Sequence, residues 1–189
     1  MRKFFTVSLL CLAAIPLSGC APVVIGSGVA GALIADDRRT PSTVLMDKEI
    51  VLTASSRLYE AKLSESNVNV SSFNRRVLLT GETNSDAQRA KIAAIAGGVA
   101  NVREVIDEVA VVPTSSFGSR GSDVLLSAKV IARLIEDKRF NANHIKVVTE
   151  RGNIYLMGLV KRTEGDAAAE VAAGTEGARG VVKAFEYMD

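Results

Sequence analysis

Cys20 carries the clearest chemistry in this sequence. It closes the run Leu17-Ser18-Gly19-Cys20, in which a branched apolar residue and two small residues precede the thiol. Arg2 and Lys3 form a positive start and residues 4–15 an apolar stretch, the charge-then-apolar order of a secretory signal, so the run sits where that signal ends. The stretch is shorter than the roughly 20 apolar residues of a membrane-spanning helix. The signal is read as 1–19, and Cys20, the first residue left, as a site of covalent lipid attachment. Cys11 lies inside the apolar stretch and leaves with it, so the mature chain has neither a disulfide nor a thiolate metal site.

Little else has catalytic spacing. His144 is the single histidine, just before an apolar strand, and a surface or strand-start role suits it better than that of a general base. One histidine among scattered carboxylates lacks the clustering of a zinc or calcium site. Gly26, Gly28 and Gly31 echo a dinucleotide-binding fingerprint, but no strand and no βαβ unit frames them. The expectation is a protein with no catalytic residues, no metal and no cofactor other than the lipid on Cys20.

The run at 17–20 resembles the lipobox of bacterial lipoproteins. With 48% hydrophobic and 23% charged residues among 189, the remainder can form a packed core. The formal charge of +2 comes from Arg2 and Lys3; without them 21 basic residues face 21 acidic ones. A neutral chain has no global field for nucleic acid or anionic lipid, so any such binding needs a local patch, and nucleic acid is not an expected partner. Residues 20–46 read as the lipidated start and a flexible tether, rich in Gly, Ala and Val and then in charge.

From residue 47 the sequence repeats. VNVSSFNRRVLLTG at 68–81 aligns without gaps on IKVVTERGNIYLMG at 145–158: Val68 and Val70 match Ile145 and Val147, and Val77, Leu79 and Gly81 match Ile154, Leu156 and Gly158. Both segments read as hairpins, the second bending at Arg151-Gly152-Asn153. An apolar helix precedes each. A small-residue helix follows, with Ser85 and Gln88, or Thr163 and Asp166, at capping spacing and glycine stops at Gly97-Gly98 and Gly174. A β-branched strand ends each copy.

That order, with the V-x-V…V-x-L-x-G pattern, resembles the BON domain, a small envelope module. The resemblance covers 47–112 and 123–187. Gly98-Val99-Ala100-Asn101-Val102 also fits the family, whereas Gly174-Thr175-Glu176-Gly177-Ala178 departs from it. Lipobox, an Asp-Arg-Arg-Thr linker within 36–40 and two such units together resemble dual BON-domain outer-membrane lipoproteins. The expected fold is α+β: tandem αββαβ domains at 47–112 and 123–189, joined by a linker at 113–122, each a mixed three-stranded sheet on two helices. The implied setting is the periplasmic face of the outer membrane, and the implied role is to support outer-membrane integrity. Ala21 stands where Asp would favour inner-membrane retention.

The helix opening the second unit, within 122–137, has two apolar stripes. Val124, Ala128, Ile131 and Ile135 are expected to pack on the sheet. Leu126 and Val130 fall opposite, beside Lys129 and Arg133 and bordered by Leu125, as an interfacial helix requires; Arg120, Lys138 and Arg139 lie at its ends. Leu126 and Val130 equally suit an interface with the first unit. The family's association with phospholipid favours Leu125, Leu126, Lys129, Val130 and Arg133 as an anionic-phospholipid site, the more acidic first unit being structural or partner-binding. The alternative is a scaffold holding another envelope protein, such as outer-membrane assembly machinery.

Overall fold

The computed structural model describes residues 37–63, 66–114 and 117–189, the side chains of 117–119 excepted, so the expected lipid site at Cys20, the signal and the tether up to residue 36 lie outside the described residues. Helix α1 (Pro41–Glu60) starts ahead of residue 47. The Thr40 hydroxyl accepts the Thr43 amide at 3.2 Å and Pro41 stands where the missing N–H costs nothing. Strands β1 (Asn67–Phe73) and β2 (Arg76–Thr83) form an antiparallel hairpin around Asn74-Arg75, both at positive φ. Helix α2 (Asp86–Gly97), capped by Ser85, returns the chain to β3 (Glu104–Val111), which runs parallel to β2.

The second unit repeats the order: α3 (Phe117–Glu136), a 3-10 turn (Ala142–His144), β4 (Ile145–Glu150), β5 (Asn153–Val160), α4 (Arg162–Ala173) and β6 (Gly180–Tyr187). Each sheet has one antiparallel and one parallel pair, with the hairpin's second strand central. Helix α4 begins before the expected cap at Thr163. The Glu164 carboxylate accepts the Lys161 amide at 2.8 Å, which puts Lys161 at the cap and Thr163 inside the first turn. His144 is buried directly before β4.

Strand alternation gives each sheet two faces. On one, Val77, Leu79 and Val109 meet Ile50 and Ala54 of α1 and Ile92 of α2. In the second unit Ile154, Leu156 and Phe185 likewise meet Leu126, Val130 and Leu134. The residues between them in sequence look the other way: Phe73 and Leu78 of the first unit close on Tyr155, Met157 and Ala184 of the second. The two sheets therefore pack on each other, with α1 and α2 outside one and α3 and α4 outside the other. Polar contacts ring the junction, including Asn74 Nδ2 to Glu186 at 2.7 Å and Arg76 Nη1 to the Ala184 carbonyl at 3.0 Å. Arg38 adds a strap, donating to both Glu164 carboxylate oxygens at 2.6 and 2.8 Å and to the Leu159 carbonyl at 3.0 Å. Those bonds hold the Glu164 carboxyl down at about 2.

A buried aspartate pins each hairpin to its opening helix. Asp47 accepts the amides of Asn74 and Arg75 at 2.9 and 2.7 Å; Asp123 accepts those of Arg151 and Gly152, both at 2.8 Å. A tight turn leaves its own amides without ladder partners, and a carboxylate satisfies two of them with charge-assisted bonds.

Glu150 is buried between the sheets. Burial pushes its carboxyl up, and nearby Glu82 and Asp123 push the same way against the Asn69 amide, which donates at 2.9 Å, and the Thr80 hydroxyl. A carboxyl whose pKa is raised by folding weakens the fold once ionised, and the penalty vanishes as pH falls to the unfolded value. Glu150→Gln should therefore melt higher than wild type at pH 8, with the gap closing as pH falls towards the ordinary 4.5 of a glutamate. A gap independent of pH would contradict this origin.

Candidate functional site

The outer face of α3 carries a run of exposed apolar residues. Asp123, Leu126, Val130 and Leu134 turn inward, the last three into the second unit's core. Opposite them, at the same helical spacing, Val124 (69% exposed), Ile131 (44%) and Ile135 (60%) stand in solvent with Ala128, and Leu125 (67%) borders them. The helix thus has two apolar stripes, and among the described residues only one of them is covered.

This reverses the assignment of faces made from sequence. Leu126 and Val130 are neither lipid-facing nor in contact with the first unit's core; they pack against their own sheet, and the stripe expected inside is outside. Asp123 sets the phase. Its carboxylate must reach the hairpin amides, which turns Leu126 and Val130, three and seven residues on, towards the sheet. Of the five proposed contact residues, Leu125, Lys129 and Arg133 remain on the surface, while Val124, Ala128, Ile131 and Ile135 replace the other two.

The signal for this phase lies in the repeat. Asp47, Ile50, Ala54 and Leu58 of α1 occupy the places of Asp123, Leu126, Val130 and Leu134 in α3 and pack inward in the same way. Outward, the copies diverge. Where α3 exposes Val124 and Ile131, α1 carries Lys48 and Ser55, while the places of Ala128 and Ile135 hold the exposed Leu52 and Tyr59.

Cations line one side of the strip. Lys129 Nζ lies 3.2 Å from Glu176, and Arg133 donates to the Thr175 hydroxyl at 3.1 Å, so both lean towards the turn before β6. Arg139, past the helix end, pairs with Asp137 at 2.8 Å and with Glu170 at 2.7 Å; Lys138 is exposed. Arg120 is half-buried near the helix start. Such a face can lie in a lipid interface, the aliphatic groups entering the acyl boundary and the cations meeting phosphate. Among the described residues no helix is long and apolar enough to cross a membrane, and no group of three or more His, Cys, Asp or Glu is placed to hold a metal ion.

Comparison with known proteins places this geometry. The model of the BON domain matches residues 47–113 and again 122–189. The chain is 35% identical over 179 residues, 94% of its length and 93% of the relative's, to the outer membrane lipoprotein DolP of Haemophilus influenzae. It is 28% identical over 124 residues, 66% of this chain and 64% of the relative, to a 21 kDa hemolysin of Actinobacillus pleuropneumoniae. To the osmotically-inducible protein Y of Escherichia coli it is 26% identical over 122 residues, 63% of this chain and 61% of the relative.

Proposed function

We propose, from the premise that this chain belongs to the BON-domain family, that it is a lipid-anchored protein of the outer membrane that rests α3 on anionic phospholipid and so supports the integrity of that membrane. The observation that carries the reading is the uncovered stripe of Val124, Ala128, Ile131 and Ile135 beside Lys129 and Arg133, on a fold whose other copy keeps the same inward positions but has Lys48 and Ser55 in place of Val124 and Ile131. The relative from Haemophilus influenzae, named an outer membrane lipoprotein, supports the location. Cys20 supplies the anchor and faces the periplasm with the rest of the chain. The work is binding rather than catalysis.

Anchor and helix act additively. Acyl chains give retention, since each buried methylene contributes about 0.8 kcal/mol, and a helix face tethered beside a bilayer meets lipid at high effective concentration. The test uses the mature chain with Cys20→Ser, so that only the folded part reports. It should co-sediment with vesicles containing phosphatidylglycerol and far less with neutral ones, and binding should weaken as salt rises. Reversing Lys129 and Arg133 to Glu should abolish the preference without altering the fold. Equal binding to neutral and anionic vesicles would remove the reading.

A second reading rests on α1. Leu45, Leu52 and Tyr59 recur every seventh residue on its outer face and are all strongly exposed. Because the stacked sheets put α1 and α3 on opposite sides, a molecule lying on lipid by α3 presents α1 away from the bilayer, where it can meet another envelope protein such as assembly machinery. Capture that resists salt and requires Leu52 would favour this scaffold role.

A further inference from the structure

Beside the cation side of α3 lies an open hollow of about 360 Å³, lined by residues 122–129 of that helix, the hairpin turn Arg151-Gly152 and the turn Glu176-Gly177 that leads towards β6. We propose that this hollow, given the membrane reading of α3, is a pocket for the phosphate headgroup of an anionic phospholipid whose acyl chains lie under the exposed stripe.

Three cations line it: Lys129, Arg151 and Arg179. Among the described residues the guanidinium groups of Arg151 and Arg179 make no hydrogen bond and no ion pair, in a molecule where Arg38, Arg39, Arg76, Arg89, Arg103 and Arg139 all hold carboxylates. Both are nevertheless positioned. Arg151 sits in the turn whose amides Asp123 holds, and the Arg179 amide donates to the Gly152 carbonyl at 2.8 Å. The Arg179 stem then crosses the turn, its Cδ 2.9 Å from where a Cβ on Gly152 would stand, so glycine at 152 gives that stem its room. A guanidinium presents a planar fork that fits phosphate oxygens in pairs.

Glu108 and Glu150 line a neighbouring hollow with the same two arginines, and the two carboxylates in this hollow's own wall do not block an anion. Asp123 already accepts two amides. Glu176 is 93% exposed and pairs with Lys129 at the mouth, so a phosphate can displace it. Leu125 forms part of the wall and also borders the apolar stripe, which makes hollow and stripe one continuous surface. The occupant is therefore a lipid phosphate rather than a free one, its acyl part having an adjoining place to lie.

The test compares variants of the mature Cys20→Ser chain on phosphatidylglycerol and neutral vesicles at low salt and at about 0.5 M salt, where attraction between exposed charges is screened. Wild type should keep roughly a tenfold preference for anionic vesicles at high salt, because charge-assisted hydrogen bonds in a pocket resist screening. Arg151→Gln with Arg179→Gln should lose that preference, while Lys48→Gln with Lys91→Gln, an equal loss of exposed charge on the first unit, away from both the hollow and α3, should keep it. Glu176→Gln should tighten binding severalfold, as expected from removing a competing charge. Thermal melts establish that each variant is folded. A preference present at low salt and gone at high salt, or equal losses in the two double variants, would overturn the pocket and leave the membrane reading standing. No preference at any salt would overturn both. Inorganic phosphate that at millimolar concentration displaces wild type from vesicles completely would reassign the hollow to free anions.

Discussion

Val130→Asp should unfold the second unit, whereas Ile131→Asp, one residue further along the same helix, should leave the melting curve nearly unchanged and remove vesicle binding. Val130 has no solvent-accessible surface and sits against Ile154 and Leu156 in the second unit's core. A carboxylate there has no partner, and an uncompensated buried charge costs more than about 4 kcal/mol, a large share of a domain's stability. Ile131 is 44% exposed and is not part of the second unit's core. Its loss in water costs about 0.5–1 kcal/mol, from helix propensity and partial burial. On a bilayer the balance inverts. The buried isoleucine would contribute about 1.5–3 kcal/mol of apolar transfer, and a carboxylate in its place is repelled by anionic lipid, so binding should fall by at least about tenfold. Circular dichroism melts and vesicle co-sedimentation of the two variants check both halves. The opposite pattern, with Val130→Asp folded and non-binding, would restore the sequence-based choice of face.

That choice failed for a definite reason. In α3 apolar residues occupy almost every direction around the axis: Val124, Leu125, Leu126, Ala128, Val130, Ile131, Ala132, Leu134 and Ile135. Periodicity then yields two stripes and no means of choosing between them. The polar residue that decides is Asp123, and polar residues do not enter a hydrophobic pattern. Comparing the two copies would have settled it, since α1 has the same aspartate and an outward face that Lys48 and Ser55 interrupt. Elsewhere reading was straightforward: the hairpins, the two small-residue helices and the final strands form in the expected order, because turn residues and glycine stops bound each segment.

The contact between the units was legible in principle and missed for a similar reason. Leu78 and Met157 alternate with inward-facing residues in strands whose inner neighbours are also apolar, so β2 and β5 read as runs covered on both faces. A half-size domain with a central strand apolar on both sides must bury the second face somewhere. Phe73, Leu78, Tyr155, Met157 and Ala184 do so against each other. Helix α3 is then unnecessary for joining the units, and its outer stripe is left uncovered. The uncovered stripe on α3 is thus a consequence of where the sheets meet.

Gly158→Ala and Gly81→Ala should each lower stability by about 2–4 kcal/mol, although each adds one methyl group. The two glycines end the V-x-L-x-G pattern in the two copies, opposite the first strand of each hairpin. A Cβ on Gly158 would lie 2.4 Å from the His144 carbonyl oxygen, and one on Gly81 only 1.9 Å from that of Asn67. In both cases the obstacle is backbone, Asn67 in strand β1 and His144 in the 3-10 turn directly before β4, which cannot rotate aside as a side chain would. Gly81 carries a further cost because its φ of +111° is one that alanine rarely adopts. Gly121, inside α3 with nothing within 4 Å of a Cβ, provides the control: alanine there should stabilise by up to about 1 kcal/mol through helix propensity. For a chain of this size 1 kcal/mol shifts the melting temperature by about 2–4 °C, so the strand variants should melt roughly 5–15 °C lower and the helix variant slightly higher. If alanine at 158 were as harmless as at 121, close approach of the strand could not be why the pattern ends in glycine. Because the sheets share one apolar junction, either strand variant should lower a single transition for both units rather than split the curve in two.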